Sequence, residues 1–408
     1  MNDNGNKTAY VAEPARQTEV RHSCGVLVCG GGIAGAAAAL AARRSGADVM
    51  LIEREYALGG LATLGLVTIY LPLCDGCGRQ VSYGLAEELL RLSIIHGGEG
   101  EIDGNPWLTG GTAEEKCCQR FRVRYNANMF AIDLEQQLLS EGVRILYGTS
   151  VCAVSGSGGK IEHVIVENRS GRSAIAAQCV IDATGDARVC ALSAADTAVF
   201  AQGNIPAAWF YHTSGGSYRL NMLGFSDIPD SMKSAEQLER DKTSLRFAGL
   251  EAEEVSTLTA LSHRMLRDEF LKGGADSESH ALSTIASIPQ LRMTRRLAGD
   301  YTMDDSEQHT AFDDSIGLIS DWRKAGPVYE LPFGTMKSEK VGNLFAAGRC
   351  ISVTDAMWDI TRVIPACAVT GQAAGIAAAL TCAAGHADIR TLQAELRRAG
   401  VPLHESKI

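Results

Sequence analysis

The stretch VLVCGGGIAGAAAAL, residues 26–40, constrains this chain more than any other. Glycine loses the most backbone entropy on folding, so three in succession behind an apolar run require a geometric reason. Residues 23–29, 32–45 and 48–53 read as a buried strand, a small-residue helix and a second strand. Gly30, Gly32 and Gly35 carry the spacing G-x-G-x-x-G across the turn between strand and helix. In that pattern the first glycine makes the tight turn, the second brings a pyrophosphate to the backbone, and the third lets the helix pack on the strand. The helix start adds amide donors and the positive end of its dipole. Glu53 closes the second strand, where a carboxylate takes ribose hydroxyls. An adenine dinucleotide is the expected ligand.

Length and charge bound the rest. A chain of 408 residues exceeds what one hydrophobic core usually serves, so two intertwined domains are expected. With 38 Lys and Arg against 48 Asp and Glu, the net charge is -10, and no basic run interrupts it. Nucleic acid and anionic membrane are therefore poor partners. No fully apolar run reaches the roughly 20 residues of a bilayer span. Residues 364–382 come nearest, yet Thr370, Gln372 and the glycines give them the character of a packed helix in a soluble protein. The first 22 residues lack the apolar core of a secretory signal and read as a flexible tail. Twelve cysteines without a regular framework suit reduced thiols, so a cytoplasmic location is expected.

Further along, a helix is expected over 83–96, a loop excursion over about 97–125, and a helix over 132–141 followed by a strand at 143–146. Strands near 151, 161–167 and 173–181 form a β-meander ending at CVIDATGDA, residues 179–187. Residues 197–335 lose this rhythm and mix charged helices with loops. At VGNLFAAGR, residues 341–349, a strand, a glycine and a long small-residue helix return the chain to its first domain. No repeat of 20 to 50 residues is evident, and no second G-x-G-x-x-G marks a separate NAD(P)H domain.

Taken together, the Gly30–Gly35 turn, Glu53, LGGLAT (58–63), VIDATGDA (180–187) and GNLFAAGR with TRVIPACAVTGQAAGIAAAL (342–380) resemble FAD-dependent oxidoreductases of the glutathione-reductase-like fold. More narrowly they are similar to the family related to fumarate reductase flavoproteins and thiazole-forming enzymes. The resemblance covers roughly residues 23–196 and 340–385. It implies an α/β fold: a Rossmann-like FAD-binding domain with an inserted β-meander, and a second α+β substrate domain. The expected division is a tail at 1–22, the FAD-binding domain at 23–196, a substrate or cap domain at 197–335, and a return to the FAD-binding domain at 336–408.

With the glycine motif, the resemblance implies an FAD-binding set of Gly30, Gly32, Ile33, Ala34, Gly35, Glu53, Arg54, Gly59, Gly60, Leu61, Ala62, Thr63, Val151, Ala183, Thr184, Gly185, Gly348, Arg349, Gly371, Gln372 and Ala373. Gly59, Gly60 and Thr63 lie along the phosphates and ribityl chain in such proteins. The helix carrying Gly371 would aim its N-terminal amides at the pyrimidine edge of the flavin, stabilising the reduced ring, or would serve only for close packing. No histidine stands in the segment after Glu53 where some relatives attach FAD covalently, so non-covalent FAD is expected.

For chemistry, Asp355 and Arg362 are the leading candidates, as a proton acceptor and as a holder of a carboxylate or developing oxyanion. A buried Asp–Arg pair that fixes the loop is the plain structural alternative. Tyr211 and His212, in WFYHTSGG, are a candidate proton donor and acceptor in the substrate domain. Arg292 and Arg296 would share a helix face, open to an acidic substrate or to solvent. CDGCG, residues 74–78, raises a redox dithiol or half a zinc site, with Cys117 and Cys118 elsewhere; a lone C-x-x-C is a weak zinc signal, and no metal is expected.

The leading reading is hydride transfer between a small organic substrate and FAD, with an unidentified electron acceptor and room for a homo-oligomer. A dithiol-linked flavin reductase using Cys74 and Cys77 is one alternative. An RNA-modifying or non-catalytic FAD-binding protein is another, disfavoured by the acidic charge balance.

Overall fold

Val26, Leu27, Val28 and Cys29 are all fully buried, as the central strand of a parallel sheet must be. In this computed structural model, which describes residues 11–99, 112, 114, 115, 122–224, 230–242 and 245–408, they end strand β1 (Val20–Cys29). The chain passes through α1 (Ile33–Arg44) into β2 (Val49–Ile52), parallel to β1. Next come β3 (Ile69–Tyr70), α2 (Leu85–Ile94), β4 (Gly98–Glu99) and β5 (Val123–Tyr125), whose strands form a small antiparallel sheet in the order β3-β5-β4. Most of the expected excursion, with Cys117 and Cys118, lies outside the described residues.

The helix expected from 132 starts earlier, as α3 (Ala127–Ser140). Its start is fixed by Asn126, whose side-chain oxygen accepts from the Asn128 and Met129 amides at 3.0 Å each. After it, β6 (Arg144–Leu146) joins the far side of β2.

The meander is β7 (Ser150–Ser157), β8 (Lys160–Asn168) and β9 (Gly171–Asp182). β9 is the branch point of a single seven-stranded sheet. Its first half pairs antiparallel with β8, and its last residues pair in parallel with β17 (Leu344–Ala346), while its other edge runs parallel to β1. The principal sheet therefore has the order β6-β2-β1-β9, with β17 beyond the end of β9 and the meander beyond its beginning.

Between these halves come α4 (Arg188–Leu192), β10 (Thr197–Val199), β11 (Ala208–Ser214), β12 (Ser217–Leu223), α5 (Ala235–Lys242), α6 (Ala252–Lys272), β13 (His280–Ile285), β14 (Arg295–Leu297), β15 (Ser315–Ser320) and β16 (Val328–Pro332). This region holds more sheet than its sequence suggests. β12, β11 and β13 make an antiparallel sheet, and β15 pairs with β16 in a hairpin against the last long helices. Both faces of β11 are covered: Ala208 and Phe210 pack with Leu266 and Phe270 of α6, whereas Trp209 and Tyr211 pack with Leu66 and Ala127. A strand buried on both sides shows no polar alternation, which is why it is hard to read from sequence. Arg292 and Arg296 stand on extended chain rather than on a shared helix face, and both are buried.

The chain closes with α7 (Asp355–Thr361), α8 (Ile364–Ala384) and α9 (Ile389–Arg398). By length and composition α8 is apolar enough to cross a bilayer, unlike the sequence expectation, but most of it is buried inside the protein. It lies on α1 at backbone distance. A Cβ on Gly371 would stand 2.3 Å from the Ala34 carbonyl oxygen, and one on Gly375 would stand 2.2 Å from that of Ala38. Bare glycines on α8 and alanines on α1 are what this approach requires.

Substituting Gly375→Ala should force these helices apart and cost about 1–3 kcal/mol, the range for overpacking a filled core. Urea unfolding checks it: the midpoint falls with an unchanged m-value. A variant as stable as the parent would show that the helix pair has slack.

Candidate functional site

The glycine turn after β1 is closed from two sides. A Cβ on Gly35 would stand 1.8 Å from the Gly30 carbonyl oxygen, and Gly30, at φ +107°, abuts the Ala183 carbonyl after β9. Gly32 differs: a Cβ there would meet nothing within 4 Å. Its outer face opens on a cavity of about 520 Å³. Glu53 supports the turn from the end of β2, its carboxylate accepting from the Gly31 amide at 2.6 Å and the Glu55 amide at 2.9 Å.

A second glycine turn lies beside the first. The Gly59 amide donates to the Gly31 carbonyl at 2.8 Å, and Gly59 and Gly60 both adopt positive φ. The Thr63 hydroxyl donates to the Leu58 carbonyl and packs over Gly59, so Thr63 shapes this turn and does not line the cavity. Gly60, Leu61 and Ala62 do line it.

The third wall is the turn after β9. Asp182 is fully buried and accepts from the Thr184 amide and hydroxyl and the Cys190 amide; burial still raises its carboxyl above the usual range. Ala183, Thr184, Gly185 and Asp186 face the cavity. The Asp186 Oδ1 atom is buried without a hydrogen-bond partner among the described residues, as is the hydroxyl of Thr294 on the opposite wall. Two unspent polar atoms in a concave site call for a polar ligand.

Positive charge gathers on the remaining walls. Arg349 lies against Gly185 and donates to the Leu291 carbonyl at 2.6 Å and that of Arg292 at 2.8 Å; its guanidinium has no carboxylate in ion-pair range among the described residues. Burial lowers its pKa, since desolvation penalises the cation. Arg362 also lines the cavity, and its Nε donates to Asp359 at 3.0 Å, with Nη2 on the same oxygen.

Helix starts reinforce this field. α1 begins at Gly32, α8 at Ile364 and α6 beside Glu251, and all three open on the cavity without a side-chain cap. Each brings unpaired amides and partial positive charge, offset at α6 by Glu251 on the cavity wall and by Glu253 and Glu254 in its first turn.

Several expected residues lie elsewhere. Gly371, Gln372 and Ala373 belong to the second and third turns of α8, because the helix begins at Ile364 with Pro365 in its first turn. Gly371 packs on α1, Ala373 is core, and Gln372 Oε1 accepts from the Leu85 amide at 2.9 Å, capping α2. Gly348 fits against Ala34 and Cys367 behind the cavity wall, and Val151 lies within β7, packed on the second core. Asp355 does not reach the cavity. It ion-pairs with Arg296 at 3.3 Å and accepts from the Ala201 amide at 3.2 Å, tying α7 to β14.

Tyr211 and His212 are also outside the cavity lining. The Tyr211 hydroxyl is 2.7 Å from the Thr68 hydroxyl, and its ring stacks on Tyr218. His212 packs among Phe210, Phe270 and His280, where burial lowers its pKa. Cys74 is buried and Cys77 exposed, and neither lines the cavity. The thiol that does line it is Cys367, which burial pushes up to about 11, so it stays protonated at neutral pH. Among the described residues no cluster of His, Cys, Asp and Glu could hold a metal ion.

Asp186, Thr294, Leu291 and residues 249–252 line the cavity without having been singled out in the sequence. Asp186 stood inside the VIDATGDA motif; the others come from the cap, where no motif marks them.

A dinucleotide-binding flavoprotein is the class that this glycine turn and parallel sheet define. The FAD dependent oxidoreductase family matches residues 25–211 and 207–398, and the chain belongs to it, with FAD as its cofactor. A thioredoxin reductase of Ureaplasma parvum is 35% identical over 79 residues, which cover 19% of this chain; the chain spans about a quarter, 26%, of that curated relative. Among solved structures, a geranylgeranyl bacteriochlorophyll reductase-like protein of Thermoplasma acidophilum aligns over 92% of this chain and 83% of its own, at 12% identity and a TM-score of 0.49. A flavocytochrome c3 fumarate reductase aligns over 89% and 79%, at 13% identity and a TM-score of 0.44.

Gly32 and Gly35 should respond differently to substitution. Gly32→Val should leave the fold intact while projecting a side chain into the cavity, so purified protein should lose its flavin absorbance but keep its unfolding midpoint. Gly35→Ala should lower that midpoint by forcing the turn open. Flavin retention at the parent level by Gly32→Val would remove the dinucleotide from this wall.

Proposed function

We propose that this protein moves hydride between a small organic substrate and non-covalently held FAD. The observation that carries the reading is the single 520 Å³ cavity on which both glycine turns, the Asp186 turn, three uncapped helix starts and three arginines converge. Such a surface suits a ligand with a pyrophosphate and hydroxyls.

In this reading Gly32, Ile33 and Gly60 take the phosphates at the start of α1, and the backbone beside Glu53 and Arg54 takes the ribose. Asp186 and Thr294 accept or donate to hydroxyls with the atoms they have spare. FAD supplies the redox step, accepting or giving two electrons as hydride. Arg362, held in place by Asp359, binds an anionic oxygen of the substrate and strengthens that bond as charge develops there. Arg349 contributes a second fixed cation whose burial leaves it poorly solvated and ready for an anion. The three helix starts favour the extra negative charge of the reduced state.

The spectrum of the purified protein tests the cofactor: flavin bands are expected, with the flavin released on denaturation. Anaerobic addition of pooled hydroxy acids, amines, sugars and dithiols should bleach the bands with one pool. Arg362→Lys keeps the charge beside Asp359 but loses the planar fork, and should raise KM for that substrate roughly 10-fold. Protein that takes up no FAD when it is supplied would end this reading. Bleaching by dithiols that disappears in the double variant Cys74→Ser, Cys77→Ser would redirect it to a dithiol reductase.

A further inference from the structure

A second cavity of about 290 Å³ lies between β11, α6 and the segment after β13. Its inner wall is Ala208, Leu258, Ser262, Leu266, Ile288 and Pro289. Ile288 and Pro289 also line the larger cavity, and α6 borders both: its start, to Val255, faces the larger one, and its next two turns face the smaller. The two spaces therefore share a wall and a helix.

Its chemistry is unlike that of its neighbour. No Asp, Glu, Lys or Arg lines it. The Thr259 hydroxyl is satisfied by the Val255 carbonyl at 2.8 Å, and the Gln290 side chain bridges the Trp209 amide and the Gly65 carbonyl. His263 is exposed, at the rim. Two wall atoms are different: the Oγ of Ser262, a residue 8% exposed, and the Nε1 of Trp209 are buried with no hydrogen-bond partner among the described residues. Serines and threonines one and two turns earlier on α6 bond back to the helix carbonyls. A buried hydroxyl without a partner is costly, and a ligand oxygen would satisfy it.

We infer that this side cavity is the specificity pocket of the hydride-transfer site, and that it receives an uncharged aromatic or alicyclic ring carrying one hydroxyl or carbonyl oxygen, bonded to Ser262. The inference rests on the reading that the larger cavity holds FAD beside the substrate. Size agrees: an apolar cavity of roughly 150 Å³ holds benzene, so this one admits a substituted ring and excludes much larger ones. Charge is excluded because nothing in the wall compensates its desolvation.

Fluorine NMR titration of 4-fluorobenzyl alcohol into the FAD-loaded full chain tests this, with 4-fluorobenzylamine and 4-fluorobenzoate as charged controls and flavin absorbance read on the same samples. Saturable binding of the alcohol alone is expected. Ser262→Ala should weaken it about 3- to 10-fold, the worth of one hydrogen bond. Ala208→Leu should fill the pocket and abolish binding while flavin content stays at the parent level. Absence of saturable binding, equal binding of the charged analogues, or unchanged binding by both variants would overturn the pocket. A parent that binds the ring but never takes up FAD would leave the pocket standing and remove the hydride-transfer reading instead.

Discussion

Everything at the cavity depends on how closely α8 lies on α1. The contacts advance together along both helices, Gly371 on Ala34 and Gly375 on Ala38, so the helices run parallel. Parallel neighbours align their dipoles side by side, which is unfavourable by itself. The small residues compensate with dense packing, and the cost concentrates as positive potential where both helices begin. An anion at that common end relieves it. The fold therefore creates the demand for a phosphate-bearing cofactor in the same contact that stabilises its core.

Arg349 fits the same logic. A half-buried guanidinium with no carboxylate in ion-pair range among the described residues is tolerated where its donors are used. Two of them go to the carbonyls of Leu291 and Arg292, so this cation also fastens the segment before β14 to the turn that follows β17. Asp359 plays the complementary part. Fully buried, it orients Arg362 through one oxygen, while Arg323, itself paired with Asp321, lies 4.0 Å from the other. One arginine is thus left in need of an anion, and the other is aimed by one.

The sheet was legible in the sequence because its signals are local. A run of apolar residues ending in Gly30-x-Gly32-x-x-Gly35 permits few backbones, and the meander announces itself by alternation between glycine turns. What could not be read depends on contacts distant in the chain. Tyr211 and His212 are neighbours in sequence, but the strand sends one toward Thr68 and the other toward Phe270, both away from the cavity. Asp355 pairs with Arg296, a residue of β14 that lies 59 positions earlier in the chain, a contact no local pattern announces. The packed helix read over 364–382 is there as α8, but Pro365 in its first turn puts its free amides seven residues before Gly371, so it is Ile364 and not Gly371 that opens on the cavity.

The cap carries the remaining ambiguity for a physical reason. Its strand β11 is buried on both faces and its helix α6 is amphipathic only in part, because one stripe of α6 faces two cavities in turn. A surface that must bind is neither fully apolar nor fully polar, and so it blurs the periodicity from which elements are read. The same blur locates function. Ser262 interrupts the apolar stripe of Leu258, Leu266 and Phe270 with a buried hydroxyl that has no hydrogen-bond partner among the described residues. A core that needed only to be stable would place alanine or leucine there, and the hydroxyl is best understood as part of a surface awaiting a ligand.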